Sequence, residues 1–167
     1  MKSAFIAFAV CNTVLIISTA IVGGWVQGDV YFRQHFALGL MTTFFICLCH
    51  SVVLTYFAAT GKMVRLATED TALDPQLLDL LQRHQRLKTR ASATLMPAII
   101  VALLVAFSGA WATMNAQRGM LHFAIAMGSG GMQIAVFVWE FTLIAENGRV
   151  LDATFAKHEQ IKAGERC

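Results

Sequence analysis

Four apolar stretches, at about residues 4–26, 32–59, 93–116 and 120–145, leave this chain little choice of fold. Crossing the hydrocarbon core of a bilayer takes roughly 20 helical residues, and each stretch supplies that many. In hydrocarbon the backbone must satisfy its own hydrogen bonds, which a continuous helix does and an irregular segment does not. No charge interrupts the first or third stretch, while the second carries Arg33 at its mouth and the fourth Glu140 near its end. Of the 167 residues, 57% are hydrophobic and 14% charged, a balance foreign to soluble domains. The expected class is therefore all-α, a single transmembrane domain over 1–167, with a connector at 60–92 and a tail at 146–167.

Cation placement predicts the orientation, because loops on the cytoplasmic side are enriched in Lys and Arg. Lys2, Lys62, Arg65, Arg83, Arg86, Lys88, Arg90, Arg149, Lys157, Lys162 and Arg166 fall on one side of the four spans, and only Arg33 and Arg118 on the other. Both termini and the connector are expected in the cytoplasm of a bacterial-type inner membrane. The net charge of +3 reflects this bias and gives no reason to expect nucleic-acid binding. The stretch at 4–26 is too long for the apolar part of a signal peptide, so it is read as a retained span. In the connector, Asp74 before Pro75 reads as a helix cap with proline at the first helical position. Leu77, Leu78, Leu80 and Leu81 then give an apolar face, and the run 83–90 is basic. This predicts an amphipathic cytoplasmic helix on the inner membrane surface, against anionic head groups, leading into the third span near Pro97.

The chain also repeats itself. Residues 35–64 and 122–151 align without a gap, both opening His-Phe-Ala. They share Thr55/Thr142 and Ala58/Ala145, and leave the apolar run through Thr60-Gly61-Lys62 and Asn147-Gly148-Arg149. Upstream, Gly23-Gly24-Trp25 matches Gly109-Ala110-Trp111. The expected architecture is a four-helix bundle built from two repeated helical hairpins, with matched residues meeting around a pseudo-two-fold axis.

The matched residues of most interest are His35 and His122, each about a turn inside the outer end of its span. Ionisable side chains in membranes face the bundle interior and mark function. Two neutral imidazoles facing each other across an apolar bundle are the axial ligand set of a b-type haem. Gly24 and Gly109, with Gly23, lie near the outer ends of the other two spans, where they would let helices stand back from a flat macrocycle. Arg33 and Arg118 are placed to pair with haem propionates. Phe36, Phe123, Trp25 and Trp111 are candidate aromatic walls. The plainer alternative is that the glycines are packing devices, the tryptophans interfacial anchors and the histidines an inherited packing pair.

A second polar cluster is expected deeper in the bundle. His50 lies fifteen residues after His35, about 22 Å along a helix. Ser129, Gln133 and Glu140 return to the face of the fourth span that carries His122. His50, Gln133 and Glu140 thus form a possible proton or quinone site, with a plain buried His–Glu pair, or Glu140 reaching for water, as the alternatives. Cys47-Leu48-Cys49-His50 falls one residue short of a covalent haem motif. Cys47 and His50 share a helix face and could take a soft metal, although such cysteines are usually small apolar fillers. His84 and His158 are expected to be solvated.

In layout the chain resembles the four-helix bis-histidine membrane cytochromes b, including cytochrome b subunits of respiratory enzymes. The resemblance covers the four spans and rests on His35 and His122. It implies one haem b and electron transfer, as a component of a larger assembly more than as a stand-alone enzyme. The partners it implies are a quinone, a periplasmic redox protein or other membrane subunits. Many members of that group hold two haems on four histidines, whereas this chain offers one symmetric pair and an unmatched His50. The other classes compatible with the sequence are a cofactor-free scaffold or assembly subunit, and a small metal or solute transporter centred on Cys47, His50 and Glu140.

Overall fold

The computed structural model describes residues 1–27, 29–71, 74–113 and 119–164. Four helices account for nearly all of them: α1 (Lys2–Gly24), α2 (Phe32–Glu69), α3 (Pro75–Ala112) and α4 (Gly119–Gly164). Each is long and apolar enough to cross a membrane, so the protein is an integral membrane protein with an all-helical, four-helix architecture. α2 and α4 make the central contact, while α1 and α3 each touch both of them and, among the described residues, do not touch each other.

Helix lengths separate the spans from what lies beyond them. At 1.5 Å per residue the 23 residues of α1 reach about 35 Å, close to the thickness of one bilayer core. The 38-residue α2 and α3 and the 46-residue α4 overrun it, and their excess lies at the end that carries most of the cations. Asp74 caps α3 as expected, its carboxylate accepting from the backbone N–H groups of Gln76 at 2.9 Å and Leu77 at 3.3 Å. At the opposite end Tyr31 turns the chain into α2 from a left-handed conformation, φ 58°.

The connector differs from the expectation. There is no separate surface helix, because the amphipathic stretch is the first part of α3, which runs unbroken through Pro97. Leu77, His84, Leu87 and Ala91 are buried, so its apolar stripe packs on α2 and α4. The stripe is the kind that a surface helix and a bundle helix share, and the long neighbours α2 and α4 supply the partner face. The tail likewise is no separate element, since α4 continues to Gly164.

Packing is uneven along the bundle. The apolar core is built by Phe5, Ile46, Cys49, Val53, Phe57, Leu87, Leu95, Phe137, Ile144 and their neighbours, all toward the basic end. Among the described residues of 13–41 and 103–128, none is fully buried. The helix ends that carry His35 and His122 are therefore loosely gathered. Hydroxyls in the spans are satisfied locally, as where Thr42 donates to the Leu38 carbonyl at 2.7 Å.

Candidate functional site

His35 stands three residues into α2 and His122 three residues into α4. Since α2 and α4 are the central pair, the two rings meet: their centroids are 6.1 Å apart and their planes cross at 71°. The partner groups settle the tautomers. A carbonyl only accepts, so His35 Nδ1–H donates to the Thr19 carbonyl at 3.2 Å. The Ser108 hydroxyl gives its hydrogen to the Val105 carbonyl at 2.8 Å, so at 2.9 Å it accepts from His122 Nδ1–H. In both neutral rings Nε2 is then left with its lone pair. A neighbour that occupies Nδ1 and so fixes the tautomer is what metal-binding histidines characteristically have.

Each ring also lies against a glycine. A Cβ on Gly23 would sit 2.7 Å from His35 Cε1, and one on Gly109 would sit 3.1 Å from His122 Cε1. Nothing lies within 4 Å of a Cβ on Gly24, and Gly23 is the glycine that receives the ring. The helix phase, not the sequence spacing, selects between two adjacent glycines. Of the residues expected as aromatic walls, Trp25, Phe36, Phe123 and Trp111 are 58%, 49%, 54% and 43% exposed. Arg33 is exposed near the pair, and Arg118 lies outside the described residues.

The deeper cluster assembles as the helical period predicts. His50 and Glu140 are buried, with Nδ1 and Oε1 2.6 Å apart. His50 Nε2 lies 2.9 Å from Gln133 Oε1, while Gln133 Nε2 donates to the Ala98 carbonyl at 2.8 Å. Both imidazole nitrogens of His50 are thus occupied by protein, leaving neither for a metal shared with Cys47. Among the described residues no three His, Cys, Asp or Glu side chains converge as a metal cluster.

A third imidazole was hidden from the sequence reading. His84, expected in solvent, is 1% exposed. Its Nδ1 donates to Asn147 Oδ1 at 2.7 Å, and Asn147 in turn donates to the Thr60 hydroxyl at 3.0 Å. Gly61 makes the space, because a Cβ there would be 2.6 Å from His84 Nε2. The signal available was the spacing: Leu77, His84 and Ala91 recur every seven residues, which places His84 on the apolar face of α3. His158 is half-buried and bonded, its Nε2 2.8 Å from Asp70 Oδ2.

No protein-family profile, curated protein or solved structure matches this chain.

Proposed function

We propose that this protein binds one b-type haem between His35 and His122 and serves in electron transfer. The observation that carries the reading is the pair itself: two half-buried imidazoles 6.1 Å apart, each with Nδ1 engaged. A metal–imidazole bond is about 2 Å long and a ring nitrogen lies about 1.1 Å from its centroid, so two rings on opposite sides of one metal have centroids about 6 Å apart. The donor set and its spacing fit the group. The glycine seats at Gly23 and Gly109 admit the two imidazoles, and the loosely packed helix ends suit a flat macrocycle.

His35 and His122 would hold the iron through Nε2, with Arg33 and Arg118 available to the propionates. When bound, haem supplies a one-electron couple whose potential follows its ligands and surroundings. The Thr19 carbonyl and the Ser108 hydroxyl keep both imidazoles in the ligating tautomer. The cation bias supports a pair near the outer face of a bacterial-type inner membrane, with both termini cytoplasmic. From there the fitting partners are a periplasmic redox protein, a quinone or a neighbouring membrane subunit. Three pairs of positions 87 residues apart touch, namely His35/His122, His50/Phe137 and Thr60/Asn147, which supports the duplication of the hairpin.

A reduced-minus-oxidised visible spectrum of the purified protein is the test. Sharp b-type bands, with iron in the metal analysis, are expected. A colourless, fully helical preparation would overturn the reading in favour of a cofactor-free scaffold.

A further inference from the structure

The basic half of the bundle holds ionisable groups that the haem site does not use. His50, Gln133 and Glu140 are each 1% exposed or less. Gln133 fixes their proton arrangement. Its Nε2 is committed to the Ala98 carbonyl, so its Oε1 faces His50 Nε2 as an acceptor, and that nitrogen must carry a hydrogen. The reverse amide orientation would set two acceptors against each other at Ala98. His50 Nδ1 and Glu140 Oε1 then share a single proton across 2.6 Å. On the carboxyl or on the ring, that proton leaves the pair with no net charge.

The remaining carboxyl oxygen is the unusual feature. Among the described residues Glu140 Oε2 is buried without a hydrogen-bond partner, as are Asn12 Oδ1 and His84 Nε2. A buried acceptor left open is costly, and here it belongs to a carboxyl that can take up a proton.

We infer that His50 and Glu140 form a proton-exchange site, loaded and unloaded at Glu140 Oε2 while Gln133 holds the imidazole. A proton added at Oε2 converts the neutral pair into an imidazolium beside a neutral carboxylic acid, with a net charge of plus one. Its departure restores the neutral pair, and no electrons move. In apolar surroundings the charged state is costly, so loading follows a fall in pH or the arrival of negative charge elsewhere in the bundle. Among the described residues the Cys49 thiol on α2 is a titratable group within electrostatic reach. α3 contributes the Ala98 carbonyl, and α1 contributes the apolar Phe5 to the surrounding core. The inference does not depend on the haem reading.

Infrared difference spectra of the whole purified protein, acid minus alkaline, in H2O and in D2O, test it. Expected is a carboxylic-acid carbonyl band that grows at low pH, shifts in D2O, vanishes in Glu140→Gln and persists in Glu146→Gln. A carboxylate that stays unchanged across the titration would reduce the pair to a fixed structural contact and overturn the proposal. Should Glu140→Gln fail to fold, 15N-histidine spectra of the unsubstituted protein decide the same question. One ring should keep its Nε2–H while its Nδ1 titrates, and a ring with neither nitrogen responsive would sink the idea. These measurements need no haem, so their failure and that of the haem reading are separate.

Discussion

Asn147 donates a hydrogen bond of 3.0 Å to Thr60, 87 positions earlier in the chain. The same separation divides His35 from His122 and His50 from Phe137, whose rings are 6.1 Å and 5.5 Å apart. Three pairs of positions 87 residues apart therefore meet along the seam of α2 and α4. Where the two partners are alike the seam presents a matched imidazole pair. Where they differ, as at His50 and Phe137, it presents a polar group that only one half supplies.

Removing either matched histidine should abolish pigment retention. His35→Ala and His122→Ala are expected to yield protein without b-type bands, whereas His50→Ala should keep its spectrum, because both nitrogens of His50 are engaged by protein groups. Visible spectra at equal protein concentration check this. A colourless His50→Ala beside a coloured His35→Ala would put the ligands elsewhere.

The glycine seats should separate by a single position. Gly23→Ala pushes a methyl to 2.7 Å from the His35 ring, whereas Gly24→Ala meets nothing within 4 Å. Overpacking of this kind costs about 1–3 kcal/mol, so Gly23→Ala should lower the melting temperature and loosen haem while Gly24→Ala does neither. Gly109→Ala, at 3.1 Å, should fall between them. Thermal scans of the three variants give the order, and equal behaviour of the two adjacent glycines would count against the ring placement.

His84→Ala should destabilise the protein without touching the spectrum. The change strips Asn147 Oδ1 of its donor, and a buried polar atom left unpaired costs about 1–3 kcal/mol before any cavity is counted. Denaturation monitored by circular dichroism measures it. A change within about 0.5 kcal/mol, the range of ordinary surface substitutions, would mean that His84 is solvated after all.

The end of α4 should loosen in acid. Asp70, just past α2, has its carboxyl held below the usual range, first by the hydrogen bond from His158 and then by Lys162, whose Nζ is 3.3 Å from Oδ2. A lowered carboxyl value stabilises fully above the unfolded value of about 3.9, and that contribution is lost as pH falls through the folded one. Amide protection near His158 and Lys162, relative to the intrinsic rate at each pH, should therefore fall below about pH 4, and Asp70→Asn should show the lower protection at neutral pH already. Protection indifferent to both pH and substitution would show that the contact does not hold the tail.

Much of the site was legible because it follows from local periodicity. Fifteen residues past His35 and eighteen past His122, His50 and Glu140 were expected at similar depth, and they meet at 2.6 Å. The meeting of His35 and His122 was equally visible, since each lies three residues into its helix. Gly23 against Gly24 was not legible: both fit the spacing, and only the rotation of α1 against α2 chooses. The burial of His84 escaped for a related reason. A histidine within a basic run reads as solvated until α2 and α4 prove long enough to cover it.

What the sequence alone determined is the number and extent of the spans and the depth of their ionisable residues, because hydrophobic length and helical rise are properties of each segment by itself. Tertiary structure decided which faces meet. It turned Trp25 and Phe123 outward, made the amphipathic stretch part of α3 and left Glu140 Oε2 without a partner. The physical reason is that a helix face is buried only by a neighbour, and the neighbour's rotation and length are not written in the segment it covers.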